Sequence, residues 1–298
     1  METQTSIIKN FIAGGVGGAS AILVGQPFDI IKLRLQTQPK PAAGQSPLYT
    51  GTWDCIVKTI RTERFVGLYK GMSVPLMMTT PITAVSFTGF TFGKKLQQGS
   101  SEEPLTLRQI TYAGMLAGLF TSTLTTPAER VKILLQDQAA VSGSKAYKGP
   151  FAVAKGLYRG GGIISLYRGM IPTVFRDVIG FGTYFPSYSL IRRALASENA
   201  NEDLSPLQII IAGGSAGVIG WITGIGLDVV KSRLQIAPDG KYPNGMFSVV
   251  MEMLRKEGPS SLFKGTGPVL LRAFPSNGAV FLGYETSIKF MNWLAPDL

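Results

Sequence analysis

The sequence predicts an all-α membrane protein: six tilted transmembrane helices in three pseudo-symmetric two-helix repeats, with a short surface helix inside each repeat. Three observations carry this reading. The 298 residues are 45% hydrophobic and only 16% charged, against roughly 25% charged in soluble domains. Thirty-six glycines would weaken a soluble helical core, whereas glycine is common in membrane helices that pack closely. A ten-residue pattern also returns three times at a period near 100 residues, the mark of a repeat architecture.

The pattern reads Pro27-Phe28-Asp29-Ile30-Ile31-Lys32-Leu33-Arg34-Leu35-Gln36, then Pro127-Ala128-Glu129-Arg130-Val131-Lys132-Ile133-Leu134-Leu135-Gln136, then Gly226-Leu227-Asp228-Val229-Val230-Lys231-Ser232-Arg233-Leu234-Gln235. A shorter element follows each copy, an aromatic and a base before Gly71, Gly169 or Gly265. Glycines four apart precede each copy: Gly14 and Gly18, Gly114 and Gly118, Gly213 and Gly217. Every pair begins fifteen residues before the acid of its pattern. The chain is therefore expected to be one domain, 1–298, made of repeats 1–100, 101–202 and 203–298.

In chain order, the first span is expected at 6–37, around the glycine pair and Pro27. A surface helix at 52–63 follows, where apolar and charged residues alternate at helical spacing. The second span, 72–98, contains the uncharged stretch 72–93. The third, 107–138, and the fifth, 206–236, contain the uncharged stretches 109–128 and 204–227, each near the roughly 20 residues that cross a bilayer. The fourth, 170–197, and sixth, 266–292, are interrupted by charges, and the repeat assigns them where hydropathy alone is weak. Surface helices are expected at 149–159 and 244–256.

With no His and a single cysteine, Cys55, the chain has no Ser-His, Cys-His or His-metal arrangement, no disulfide framework and no multi-cysteine metal site. It is not expected to be an enzyme or to need a cofactor or metal. The formal net charge of +11 lies at the ends of apolar runs, which points to anionic lipid head groups and not to nucleic acid. The glycine-rich 14–20 stretch lacks the spacing and preceding strand of a nucleotide loop and is read as close helix packing. The first ten residues show neither a signal-peptide nor a transit-peptide pattern, so targeting is expected to be internal.

Three repeats, six spans and Pro-x-acid-x-x-base in the odd helices resemble the mitochondrial carrier family over the whole chain. Within it the chain is similar to carnitine/acylcarnitine carriers, through GKKLQQ (93–98), TPAERVKILLQ (126–136), APDGKYPNG (237–245) and LLRAFPSNGAVFLG (270–283). The resemblance implies a multi-pass protein of the inner mitochondrial membrane, with both termini toward the intermembrane space and the surface helices on the matrix side.

Charges near a bilayer centre cost at least about 2.5–3.5 kcal/mol on insertion scales, so they need partners or water. Asp29, Lys32, Glu129, Lys132, Asp228 and Lys231 match in a ring. Acid and base three apart face a common axis, and each acid can meet its neighbour's base: Asp29 with Lys132, Glu129 with Lys231, Asp228 with Lys32. Such a ring closes one end of a pathway, the matrix gate. Ion pairs that only held a bundle together would not repeat the kink with the charges. Pro27 and Pro127 impose that kink, whereas Gly226 only permits it. The resemblance assigns Gln36, Gln136 and Gln235 as hydrogen-bonding braces of these pairs.

The resemblance also implies an opposite gate of aromatic-acid-x-x-base. Here those positions hold Phe90-Thr91 with Lys94, Tyr188-Ser189 with Arg192, and Tyr284-Glu285 with Ile288, which leaves Lys94 with Glu285 as the outer gate. A gate that weak biases the resting protein toward opening outward.

Seven residues beyond the three glycines stand Met78, Arg176 and Arg272, with Asp177 beside Arg176; these are the positions at which the family contacts substrate. Arginine grips a carboxylate in two places and Asp balances an ammonium, so the set suits a zwitterion. Carnitine and acylcarnitines exchanged by alternating access come first, and basic amino acids are the alternative. Trp221 offers a ring to a quaternary ammonium if it faces the cavity, or else a core side chain. Met78 adds bulk where the carnitine carriers have glycine. A second alternative is a structural subunit of a larger inner-membrane complex; otherwise a monomer is expected. Gly51, Gly71, Gly149, Gly169, Gly245 and Gly265, at helix N-termini, resemble the family's cardiolipin sites.

Overall fold

The computed structural model describes residues 7–38, 46–98, 105–137, 149–195, 206–238 and 240–294. Among them are six long helices, α1 (Ile7–Thr37), α3 (Ser73–Lys95), α4 (Leu107–Asp137), α6 (Met170–Leu195), α7 (Pro206–Ile236) and α9 (Thr266–Leu294), and three shorter ones, α2 (Thr52–Glu63), α5 (Pro150–Leu166) and α8 (Met246–Glu257). There is no strand among the described residues. By length and hydropathy alone, one described helix qualifies as a membrane span: Leu207–Ile236, with a mean hydropathy of 1.7.

The long helices form a closed ring. α1 packs along α9, α3 along α4, α4 along α6 and α6 along α7, while α1 with α3 and α7 with α9 touch sparingly. Glycine sets the closest approach in repeat 2, where a Cβ on Gly118 would run into the Asp177 carbonyl and one on Gly114 would come within 2.6 Å of the Phe181 carbonyl oxygen. The expected glycine pairs do not behave alike. Among the described residues, nothing lies within 4 Å of a Cβ built on Gly14, Gly213 or Gly217. α1 instead meets α9 through Gly17, whose Cβ would lie 2.7 Å from the Val280 carbonyl oxygen.

Each short helix packs on the same two positions of the odd helix before it. α2 buries Cys55 against Ile31 and Leu35, α8 buries Val249 and Met253 against Val230 and Leu234, and α5 buries Val153 against Val131 and Leu135. Burial pushes the Cys55 thiol up to about 11, which makes this lone cysteine unreactive. α5 is longer than expected, with a break at Gly161 and Gly162.

The linker after each short helix is held in two ways. In repeat 1, Arg34 lies 2.5 Å from Glu63, which also meets Lys70 at 3.0 Å. In repeat 3, Glu257 takes Arg233 and, at 2.6 Å, Lys264. Burial pushes the Glu257 carboxyl up, but hydrogen bonds from Arg233 and Lys264 outweigh it and hold it down at about 2. Repeat 2 has Leu134 and Gly161 at the arginine and acid positions, and Leu134 joins the apolar cluster of Val131 and Val153. One residue after the acid position the backbone turns left-handed in all three repeats, at Arg64 (φ 58°), Gly162 (φ 65°) and Gly258 (φ 80°).

Candidate functional site

Where the odd helices converge, the six repeated charges meet across the ring axis. Lys132 Nζ lies 2.7 Å from Asp29, Lys231 Nζ 2.5 Å from Glu129 and Lys32 Nζ 2.7 Å from Asp228. Three-residue spacing turns acid and base of one helix to adjacent neighbours, so each pair joins two repeats.

Every acid of this ring also carries a second cation, from α6 or α9. Arg272 Nη1 of α9 donates to Asp29 Oδ1 at 2.5 Å. Arg176 Nη1 of α6 donates to Glu129 Oε1 at 2.9 Å and to Asp228 Oδ1 at 3.1 Å. Its Nε and Nη2 grip Asp177 Oδ1 at 2.8 and 2.6 Å. Asp177 Oδ2 is buried and has no hydrogen-bond partner among the described residues.

Two cavities sit at this level. One, of about 280 Å³, is lined by Asp29, Lys32, Lys132, Arg272, Pro75, Thr79 and Trp221. The other, of about 350 Å³, is lined by Ile82, Thr125, Arg176, Asp177, Phe181, Tyr184 and Trp221. Both share Glu129 and Trp221. Lys32 Nζ stands 4.4 Å from the centre of the Trp221 ring, a cation–π distance. Five cations against four carboxylates leave these cavities positive by one charge.

The structure thus brings Arg176, Asp177, Arg272 and Trp221 to the same cavities as the charge ring. Met78 departs from its expected place: it packs against the Val74, Val131 and Val153 cluster, and Thr79, one residue and about 100° round the helix, lines the cavity. Phe181 and Tyr184 escaped sequence reasoning, although four- and seven-residue steps from Asp177 set them on its face of α6.

The glutamines are unequal. Gln36 donates to Asp228 Oδ2 at 3.1 Å and accepts from the Ser232 hydroxyl at 3.1 Å. Gln136 Nε2 and both polar atoms of Gln235 are buried without a hydrogen-bond partner among the described residues, so neither braces its ion pair as expected. The physical reason is local: the positions equivalent to Ser232 are Leu33 and Ile133, which offer no hydroxyl. All three glutamines do share one packing role. A Cβ on Gly265, Gly71 or Gly169 would press on the Cγ of Gln36, Gln136 or Gln235 at 3.0, 3.0 and 2.8 Å, at backbone φ of 83°, 73° and 88°.

At the opposite end Lys94 is half-buried, and the side chain of Glu285 lies outside the described residues. Aromatic rings gather there, with Phe90 of α3 stacked on Phe185 of α6 at 4.1 Å. Of the glycines read as lipid sites, Gly51 and Gly265 line one cavity of about 530 Å³ between the starts of α2 and α9. Gly149 and Gly245 are the N-cap residues of α5 and α8.

A family described as mitochondrial carrier protein matches residues 3–101, 103–199 and 202–293. The chain belongs to the mitochondrial carrier family. It is 49% identical over 294 residues to the mitochondrial carnitine/acylcarnitine carrier protein of Mus musculus and 48% to that of Homo sapiens, covering 98% of this chain and 97% of each relative. It is also 45% identical over 284 residues, 95% of both chains, to mitochondrial magnesium exporter 1 of Drosophila melanogaster. As a mitochondrial carrier, the chain is a multi-pass protein of the inner mitochondrial membrane.

Proposed function

We propose that this carrier exchanges carnitine and acylcarnitines across the inner mitochondrial membrane. α1, α3, α4, α6, α7 and α9 cross the bilayer, and α2, α5 and α8 lie on its matrix face. One observation carries the substrate class: Asp177, 6% exposed and with its Oδ2 lacking a hydrogen-bond partner among the described residues, lines a cavity also walled by Phe181, Tyr184 and Trp221. A quaternary ammonium has charge but no N–H, so it is served by a carboxylate and ring faces. The orphaned oxygen would also accept from a lysine ammonium, so the choice of carnitine over basic amino acids rests on the ring faces beside it and on the similarity to the carnitine/acylcarnitine carriers. The net positive charge of the cavities likewise disfavours a bare divalent cation, the cargo in the Drosophila relative's name.

The substrate carboxylate goes to Arg272 in the first cavity while the trimethylammonium sits by Asp177 and Trp221 in the second. Taking Arg272 from Asp29 removes one of that acid's two cations. Binding thereby loosens the matrix gate of Asp29, Lys32, Glu129, Lys132, Asp228 and Lys231, braced by Gln36, and only a loaded site lowers the barrier to opening. Lys94 with Glu285 forms the outer gate. Anionic phospholipid, cardiolipin first, occupies the cavity at Gly51 and Gly265 and its counterparts in the other repeats, and the working unit is a monomer.

The test is uptake of labelled carnitine into liposomes that contain the purified protein and internal carnitine, acylcarnitine or lysine. Saturable exchange that Arg272→Ala abolishes is the expected outcome. Preference for lysine would move the substrate to the basic amino acids, and no exchange by folded protein in cardiolipin-containing liposomes would leave the structural-subunit reading.

A further inference from the structure

One face of α6 has a composition that the ring and the two arginines do not explain. Tyr188, Tyr184, Phe181 and Asp177 follow at steps of four, three and four residues, so all four project to the same side of the helix. The stripe runs roughly 16 Å from the outer end of α6 inward. No residue from 178 to 191 is charged, so between Arg192, one turn beyond Tyr188, and the cavity of Glu129, Arg176 and Asp177 the stripe offers a cation no charged side chain of α6.

The rings form a continuous set. Tyr184 and Tyr188 stand 6.3 Å apart and 11° from parallel. Phe185 meets Tyr184 edge-on at 5.3 Å and stacks on Phe90 at 4.1 Å, which ties α3 to α6 over the inner side of α4. Gly114 makes the room for this, since a Cβ there would stand 3.1 Å from the Phe185 ring. Phe181 and Tyr184 themselves line the cavity that holds Asp177.

We infer that this aromatic stripe is the specificity track for the onium group, with Tyr188 at the entrance and Tyr184 and Phe181 at the seat beside Asp177. The inference rests on the proposed carnitine reading and deepens it. Ring faces carry the negative part of the aromatic quadrupole and attract a cation whose methyl groups tolerate loss of water. Successive weak sites admit such an ion without trapping it, as conduction through a pore requires. A neutral molecule of the same shape gains nothing from the rings beyond contact area.

The test replaces Phe181, and separately Tyr184, with phenylalanines bearing one, two or three ring fluorines, which drain the quadrupole and barely change size. Tyr184→Phe is the reference for the second series. Across each series the carnitine concentration for half-maximal exchange should rise by about tenfold, while inhibition by an isostere carrying carbon in place of the quaternary nitrogen stays constant. Tyr184→Leu should match the fully fluorinated protein. A flat series, or an isostere whose inhibition shifts by the same factor, would overturn the inference. Should the unsubstituted protein exchange no carnitine, the substrate reading fails by itself. Stabilisation of the purified carrier by tetramethylammonium chloride over sodium chloride then decides the stripe on the same variants: loss with fluorination supports it, and no dependence sinks it.

Discussion

Arg272 of α9 and Lys132 of α4 hold opposite oxygens of the same carboxylate, Asp29, at 2.5 and 2.7 Å. The acid that closes α1 against α4 is thus also the anchor of an arginine from the last helix. A simple charge swap, with Lys at 29 and Asp at 132, should therefore fail to restore the pair, because Lys at 29 would face Arg272. Asp29→Lys should lower the unfolding midpoint of the purified carrier strongly, since stranding a buried charge costs about 3–5 kcal/mol. Adding Lys132→Asp should recover little, and adding Arg272→Glu as well should recover most. Full recovery by the two-residue swap would show that Arg272 does not weigh on Asp29.

Arg64 occupies backbone that the other two repeats give to glycine, at φ 58° and ψ −173°. A side chain in that region costs on the order of 1–3 kcal/mol. Arg64→Gly should raise stability by about 1 kcal/mol, part of the relief being offset by the freer unfolded chain. Arg64→Ala should bring no such gain, because the Cβ remains. Thermal unfolding of the three proteins side by side decides it, and equal midpoints for Gly and Ala would mean that the strain is not where φ puts it.

Glu257, at the end of α8, gives the carrier an acid sensitivity of known sign. Its folded carboxyl is held at about 2 against an ordinary 4.5. A depressed carboxyl contributes stability that is complete above the ordinary value and is lost as pH falls through the folded one. The unfolding midpoint should thus drop between pH 4.5 and about 2, and Glu257→Gln should flatten that part of the curve while lowering the plateau above it. An identical acid limb in wild type and Glu257→Gln would remove the carboxyl from the account.

The sequence carried the ring because charge is costly in a bilayer and symmetry leaves few ways to pair six charges; Asp29, Glu129 and Asp228 meet the three bases that the repeat offers. It did not carry what breaks the symmetry. Met78 and Thr79 differ by one residue, and only the rotation of α3 decides that Thr79 takes the cavity and Met78 the Val131 side. Gly213 and Gly217 copy the spacing of Gly114 and Gly118, but α7 and α9 pack loosely, so the small residues have nothing close to admit. The double role of Arg176, on Glu129 and Asp228 together, depends on a side chain long enough to leave its own repeat, which no spacing rule contains.

The unequal glutamines yield the last prediction. Gln36 is held at both ends of its amide, by Asp228 and by Ser232, whereas Gln235 is fully buried with neither end satisfied among the described residues. A hydrogen bond to a charged group contributes about 1.5–3 kcal/mol, and an unsatisfied buried polar group costs about 1–3 kcal/mol. Gln36→Leu should accordingly destabilise by about 2 kcal/mol, while Gln235→Leu, of similar volume, should be neutral or stabilising. Ile133→Ser should then distinguish the cause: by giving Gln235 the hydroxyl that Ser232 gives Gln36, it should make the subsequent Gln235→Leu substitution costly. Equal losses from Gln36→Leu and Gln235→Leu in the parent chain would show that these two glutamines act alike, whatever their partners.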